Sequence, residues 1–458
     1  MAVSRVSASF DSYNLPPAGS LIVPDDYPTI QEAIDNANAG DTVYVKKGTY
    51  SYTGGGDDAI WINKPLSLIG EDSQKTVITR TEGYLKYTYN VISITADNVT
   101  ISGFTIIGNW GLNGIRSEGS GIKIVGNNIE SNGNGIFGGG ENYIISQNNL
   151  TGNDDGIAFY PSNSVISGNN ITGNHFSGII IGSQNVTIKE NTISANGMGP
   201  DEGNGMAFGG LVFGIGANNV RVYENNITDN QFGVRFSRSC NDSEVYNNNI
   251  MRNGLGINVL TRAGGLGNKV YYNNIVDNTQ SALVQQNVTT VVSWDNGYVG
   301  NYWSDYQLRY PNASEVDASG IGNTPYVIDE NNKDRYPILE SFSIGPPKIS
   351  VLSPLVQTYN ETSAPLVFTV GKLVNWTGYS LDGKVTTISG NTTLTGLSNG
   401  SHNVTVSAKD LLGNMGISET VWFNVEETFP TALVAVASVV ALAVIGVSLL
   451  VYFKKRRH

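Results

Sequence analysis

The sequence predicts an all-β solenoid, and three observations carry that reading. From Phe104 to Asn278 the chain repeats every 22 residues or so, anchored on Ile106, Ile129, Leu150, Ile171, Ile193, Ile227, Ile250 and Ile275 in steps of 23, 21, 21, 22, 34, 23 and 25. An asparagine stands three residues after every anchor (Asn109, Asn132, Asn153, Asn174, Asn196, Asn230, Asn253, Asn278), and another stands two before each of the last seven (Asn127, Asn148, Asn169, Asn191, Asn225, Asn248, Asn273). A Gly-aliphatic step such as Gly135-Ile136 or Gly156-Ile157 follows, then a short alternating strand such as Val186-Thr-Ile188. Fixed-period β runs without helical periodicity mark a solenoid. Coils of this length stack parallel strands about 4.8 Å apart and bury one aliphatic column. The asparagines suit turns, where they tolerate left-handed backbone, and identical amides at strand spacing can pair into ladders.

Ahead of the repeat, Thr29-x-x-Glu32 reads as a capping box, and Ile30, Ala33, Ile34 and Ala37 form one apolar stripe with Gly40 as the stop. Such a short helix suits the open N-terminal end of a solenoid, whose strand edge would otherwise be exposed. Thr42–Val45, Ala59–Ile62, Leu66–Ile69 and Val91–Ile94 read as the first, irregular coils, and Val288–Trp294 as the last strand.

The asparagine repeats, together with Ile22-Val-Pro-Asp-Asp-Tyr-Pro-Thr-Ile-Gln-Glu-Ala-Ile34, Gly40-Asp-Thr-Val-Tyr-Val-Lys-Lys-Gly-Thr-Tyr50 and Gly300-Asn-Tyr-Trp-Ser-Asp-Tyr306, resemble the NosD-like and carbohydrate-binding/sugar-hydrolase group, related in fold to pectate lyases. The resemblance implies a right-handed parallel β-helix over residues 21–344. It also implies that Trp294–Tyr306, Gly320–Tyr326 and Asp334–Pro337 close its lower end. Asn323 stands where related sequences often carry an acidic residue, which argues for capping rather than calcium.

Residues 1–20 are polar and irregular and show no apolar segment of signal-peptide type. After Gly345-Pro-Pro347, residues 348–426 alternate short strands (Lys348–Leu352, Pro365–Val370, His402–Ala408, Thr420–Val425) with turns such as Asp382-Gly383. This pattern predicts a small β-sandwich that resembles Ig-like modules of surface proteins. Residues 431–453 carry no charge and are long enough to span a bilayer, with the basic tail 454–458 after them. The charge rule then places the tail in the cytoplasm and everything before residue 430 outside. The expectation is a single-pass cell-membrane protein whose export needs a leader upstream of the first residue here.

A net charge of −12 excludes nucleic acid as a partner. The single cysteine, Cys240, permits no intrachain disulfide and is expected in the core or a turn. Of thirteen N-x-S/T sequons, five lie beyond residue 348, in keeping with an exported glycoprotein.

The NosD resemblance implies copper delivery. Copper(I) wants clustered Cys, Met or His, and the three His, five Met and one Cys here are scattered, so no copper site and no other cofactor is expected. Polysaccharide chemistry fits better. The residues after the ladder asparagine read Gly133-Asn134, Asp154-Asp155, His175-Phe176 and Gln231-Phe232. Asp154-Asp155-Gly156-Ile157-Ala158 resembles the acidic motif of polygalacturonase-type hydrolases, and His175 falls one coil later, where those enzymes carry a histidine. That resemblance makes Asp154, Asp155 and His175 the catalytic candidates, sharing one outer edge. The match lacks Gly-His-Gly and Arg-Ile-Lys, and Asn134 stands where a third acid is expected; read as turn residues, the three carry no chemistry. The 34-residue step inserts a loop containing Asp201 and Glu202 beside this edge, and with Trp110, Arg235 and Arg238 these are the carbohydrate-binding candidates. A surface structural or glycan-binding protein is therefore the expected role, with a polysaccharide-cleaving enzyme as the alternative.

Overall fold

In the computed structural model, residues 15–53, 58–80, 89–108, 111–198, 208–236, 240–260, 265–285, 292–317, 319–426 and 431–455 are described. The chain divides into two units, Met1–Ile344 and Gly345–His458.

The first unit is a right-handed parallel β-helix. One coil shows how it is built: Lys123–Val125 lies in a first sheet, Asn128–Glu130 in a second and Asn134–Gly138 in a third, and Ile144–Ser146 begins the next coil. Among the described residues the first and second sheets have eleven strands each and the third has ten. Pairing is parallel and in phase with the sequence repeat, as in Ile124↔Ile145, Ile129↔Leu150 and Ile136↔Ile157. All eight aliphatic anchors, Ile106 to Ile275, are fully buried at 0% exposure. One core column thus runs the length of the repeat, driven by apolar burial that none of the coils could achieve alone.

Two asparagine ladders occupy two of the three corners. Between the first and second sheets, Asn127, Asn148, Asn169, Asn191, Asn225, Asn248 and Asn273 each donate backbone N–H and Nδ2 to the Oδ1 one coil on. The last acceptor is Asn301, of the Gly300-Asn-Tyr-Trp motif. A second ladder runs from Asn132 to Asn278 between the second and third sheets. The 34-residue step leaves both intact, since Asn191 reaches Asn225 and Asn196 reaches Asn230 at 2.9 Å. Buried turns carry backbone groups that must be paired, and the amides pair them. In one respect the sequence reading needs correction. The left-handed residue is the one before the ladder asparagine (Gln147 φ 56°, Glu190 φ 56°, Ala195 φ 54°, Asp229 φ 60°), which frees the asparagine to turn its amide inward.

The N-terminal end is capped as expected. Helix Ile30–Asn36 buries Ile30, Ala33 and Ile34, and Thr29 Oγ1 accepts the Glu32 N–H at 3.2 Å. At the other end, Trp294, Trp303 and Tyr306 are buried, and Trp303 stacks on Tyr326 at 4.1 Å. Asp334 ends the first ladder: its carboxylate accepts N–H of Asn301 (2.6 Å), Nε1–H of Trp303 (2.9 Å) and N–H of Tyr336 (3.0 Å). This contact dictates Gly300, because a Cβ there would sit 1.7 Å from Asp334 Oδ1. Asn323 pins a turn through Ser314, in keeping with a capping role. Of the expected strand Val288–Trp294, residues 288–291 lie outside the described residues, and Ser293 bridges Lys269.

The second unit contains a β-sandwich-like region. One sheet holds Ile349–Ser353, Ser363–Val370 and Thr392–Thr395; the other holds Thr358–Tyr359, Val374–Leu381, Lys384–Ile388, Gly400–Asp410, Met415–Ile417 and Val421–Val425. That exceeds the seven strands of a minimal Ig-type sandwich, and the Thr358–Tyr359 pairing is parallel. Leu366, Leu394, Val404, Val406 and Phe423 form its core. Asp382 (φ 49°) and Gly383 (φ 86°) make a hairpin turn of the kind that suits strand twist. The expected membrane span falls on helix Thr431–Lys455. Among the described residues, no helix is long and apolar enough to cross a membrane.

Candidate functional site

The third sheet carries the candidate residues. Most of its strands carry the Gly-aliphatic step at their bend, and Gly156 shows why glycine is needed: a Cβ there would lie 2.6 Å from the Gly178 carbonyl of the next coil. After the bend the aliphatic residue points inward and the next residue points outward. The register therefore sets Arg116, Phe137, Ala158, Ile180, Val212, Arg235 and Asn258 in one outward column, one coil apart.

At the start of the bend runs a chain of amides. Asn90 Nδ2 donates to Asp58, Asn113 to Asn90 and Asn134 to Asn113, at 2.7–2.9 Å. Asp155 pairs with Asn134 in the next coil. Its Oδ1 accepts the Ser177 N–H at 2.8 Å, and burial pushes its carboxyl up to about 6 against that hydrogen bond, with the charge of Asp154 adding to the rise.

Asp154 and His175 occupy equivalent positions on successive coils: Asp154 N–H donates to the Asn132 carbonyl and His175 N–H to the Asn153 carbonyl. The His175 ring lies edge-on to Phe176, 5.0 Å between centroids, and Phe176 stacks on Phe208 at 4.3 Å. Asp155 engages Ser177, so an extra residue, Phe176, separates the histidine from the carboxylate's partner. The insertion leaves the repeat at this same turn, where Gly197 N–H donates to the Asn174 carbonyl, and returns at Phe208. Asp201 and Glu202 within it, and Trp110 and Arg238, lie outside the described residues.

Arg235 is 7% exposed and its guanidinium lies 5.4 Å from the Phe232 ring centre. Burial pulls its pKa down to about 10. Three residues that the sequence reading missed complete the face. Arg116 lies over Phe137 (5.3 Å), and Phe137 packs against Tyr160 (5.7 Å), which is 48% exposed. The signal was present in the repeat, since the residue after each Gly-Ile pair is outward-facing. A separate cleft of about 400 Å³ lies at the C-terminal end of the β-helix, lined by Gln280, Ser304, Asp305, Arg309 and Tyr326.

The donor set does not suit copper. Cys240 is fully buried and its thiol is pushed up to about 11 by that burial. His402 is held between Asp382 (2.6 Å) and the Ser398 carbonyl (2.7 Å). Among the described residues no group of three His, Cys, Asp or Glu side chains is placed to hold a metal ion.

The three parallel sheets define a right-handed parallel β-helix protein. The family model "Right handed beta helix region" matches residues 90–210, and "Periplasmic copper-binding protein (NosD)" matches residues 201–308. A search of curated proteins finds no match. Similar solved structures include an alginate lyase from Paenibacillus sp. (15% identity, 57% of this chain and 95% of that one, TM-score 0.44). A pectate lyase is similar at 15% identity over 59% of this chain and 75% of that one, with a TM-score of 0.38. The enzymatically active domain of a bacteriophage CBA120 tailspike is similar at 12% identity over 86% of this chain and 67% of that one, with a TM-score of 0.42.

Proposed function

We propose that this protein binds a glycan chain laid along the outward face of the third sheet. The observation that carries the reading is the Arg116–Phe137–Tyr160 group, a partly exposed aromatic surface with the Glu118-paired guanidinium of Arg116 over it, one coil from the carboxylate of Asp155. Aromatic rings offer flat apolar surface to a sugar's C–H face, and carboxylate and amide groups bond its hydroxyls. Coils repeat about every 4.8 Å, so a polymer can meet like positions on successive coils. Binding of oligosaccharides to the full chain is the test. Phe137→Ala and Tyr160→Ala should each weaken binding several-fold, and unchanged affinity in both would remove this face as the site.

A cleaving activity is favoured by one observation, the carboxyl of Asp155 lifted to about 6, a value suited to an acid near neutral pH. In that reading Asp155 would protonate the leaving oxygen as the glycosidic bond breaks, Asp154 would take the proton of the water that attacks the anomeric carbon, and His175 would position Asp154. A reducing-sugar assay on acidic and neutral polysaccharides decides it. Product from wild type that is lost in Asp155→Asn supports cleavage, and no product from any polymer leaves binding alone.

For location, the reading is a cell-surface protein held by residues 431–453, with 454–458 in the cytoplasm; the support is the uncharged run and the basic tail in the sequence. Protease added to intact cells should release the β-helix, and protection until lysis would reverse the topology.

A further inference from the structure

We propose that Arg235 and Asn258 form a recessed oxyanion subsite on the third sheet that takes the carboxylate of an acidic sugar unit. This deepens the glycan-binding reading and rests on it for the polymer, though not for the anion. The two residues are register partners on adjacent strands, Phe232–Phe236 and Leu255–Val259, so they stand one coil apart. Both are buried, at 7% and 4% exposure. Arg235 Nε and Nη1 and Asn258 Oδ1 are nevertheless enclosed without a hydrogen-bond partner among the described residues.

That arrangement is unlike the chain's other well-placed arginines. Arg252 makes a two-pronged pair with Asp229 (2.9 and 2.7 Å), and Arg335 makes one with Asp295 (3.0 and 2.6 Å). Arg235 has no ion pair among the described residues, only the ring of Phe232. A buried guanidinium left unpaired is strongly unfavourable, and its deprotonation is no outlet, because burial lowers it only to about 10. A site that stores this cost is explained by an anion that removes it.

The surroundings select the kind of anion. Ala158, Ile180 and Val212 precede Arg235 in the column and Leu283 follows Asn258, so one cation and one amide sit in an apolar strip. The free Oδ1 of Asn258 accepts hydrogen bonds, so the ligand must bring a donor beside its oxyanion. A uronate sugar supplies both, a carboxylate for the guanidinium and a neighbouring hydroxyl for the amide, whereas sulfate supplies no such donor at neutral pH. The net charge of −12 gives the body no general attraction for polyanions, so recognition has to be local.

The experiment compares wild type with Arg235→Met on the full chain, by calorimetric binding and by unfolding midpoint. The probes are oligogalacturonate, a neutral cello-oligosaccharide, galacturonic acid monomer and inorganic sulfate. Arg235→Met should weaken oligogalacturonate roughly ten- to a hundredfold, the loss of a charge-assisted hydrogen bond. It should leave the neutral oligosaccharide unchanged and should not lower the unfolding midpoint, since it removes an unpaired buried charge. A lowered midpoint with unchanged oligogalacturonate affinity would overturn the subsite and make Arg235 structural. If neither oligosaccharide binds wild type, the glycan-chain reading fails, and the monomer decides the subsite alone. Stabilisation by galacturonic acid that vanishes in Arg235→Met upholds it, and no stabilisation overturns it. Tighter binding of sulfate than of the uronate would overturn the ligand class.

Discussion

Asn169 and Asn170 are adjacent residues that face opposite ways, which makes them a sharp test of the ladder. Asn169 is 2% exposed. Its Nδ2 donates to Asn191 Oδ1 and to the Ile145 carbonyl, both at 2.9 Å, and its Oδ1 accepts from the N–H and Nδ2 of Asn148 at 3.0 Å. Replacement by alanine leaves the buried Asn148 N–H without an acceptor and takes a donor from the Ile145 carbonyl, while Asn148 Nδ2 keeps the Ile124 carbonyl at 2.8 Å. With each unsatisfied buried group costing about 1–3 kcal/mol, Asn169→Ala should destabilise the β-helix by about 2–4 kcal/mol. Asn170 is exposed and joins only an outer ladder, donating to Asn149 at 2.7 Å. Its alanine variant should stay within about 0.5 kcal/mol of wild type, as should Asn312→Ala outside the repeat. Denaturant midpoints measure the difference, and amide hydrogen exchange localises it, with faster exchange expected at Asn148. A solenoid can unfold in stages, so the local exchange is the stronger readout. Equal shifts for Asn169→Ala and Asn170→Ala would refute the reasoning.

Three further outcomes follow from the same structure. Gly300→Ala should disrupt the C-terminal cap, because its Cβ would collide with the fully buried Asp334 carboxylate; an unchanged midpoint and unchanged tryptophan fluorescence would contradict the packing described. Burial raises Asp334 from its ordinary carboxyl value to about 7, so the native state holds this proton more tightly than the unfolded chain does. Its contribution is complete below about pH 4 and fades as pH climbs to about 7, so the stability of wild type relative to Asp334→Asn should fall across that window. His402 is raised above its ordinary value by Asp382 first and the Ser398 carbonyl second, so its contribution is full below about pH 6.5 and is lost as pH rises through the folded value. NMR titration should show His402 releasing its proton above the ordinary range, and a downward shift toward the ordinary value in Asp382→Asn, where the Ser398 carbonyl remains.

The repeat made the β-helix legible because its physics is local and periodic. A strict aliphatic phase, an asparagine at a fixed offset and a glycine at the bend each answer to the coil directly above or below, so sequence separation maps onto spatial contact. The helix Ile30–Asn36 was legible for the same reason, through its own cap and stripe. The position of Asp154 and His175 on successive coils also followed from counting along the repeat. What a single coil does not encode had to come from the tertiary structure. Asn301 joins the ladder across a break in the repeat, and Asp334 ends it from 33 residues further on. From Asn127 to Asn278 the left-handed position falls on the residue before each ladder asparagine, a choice that residue type alone does not announce. Whether an outward residue is exposed, like Tyr160, or enclosed and unpaired, like Arg235, depends on what other parts of the chain lay over it. The sequence by itself determined the coil and its core; only the tertiary structure decided which polar groups on that surface were left without a partner, because desolvation is set by neighbours that no local pattern specifies.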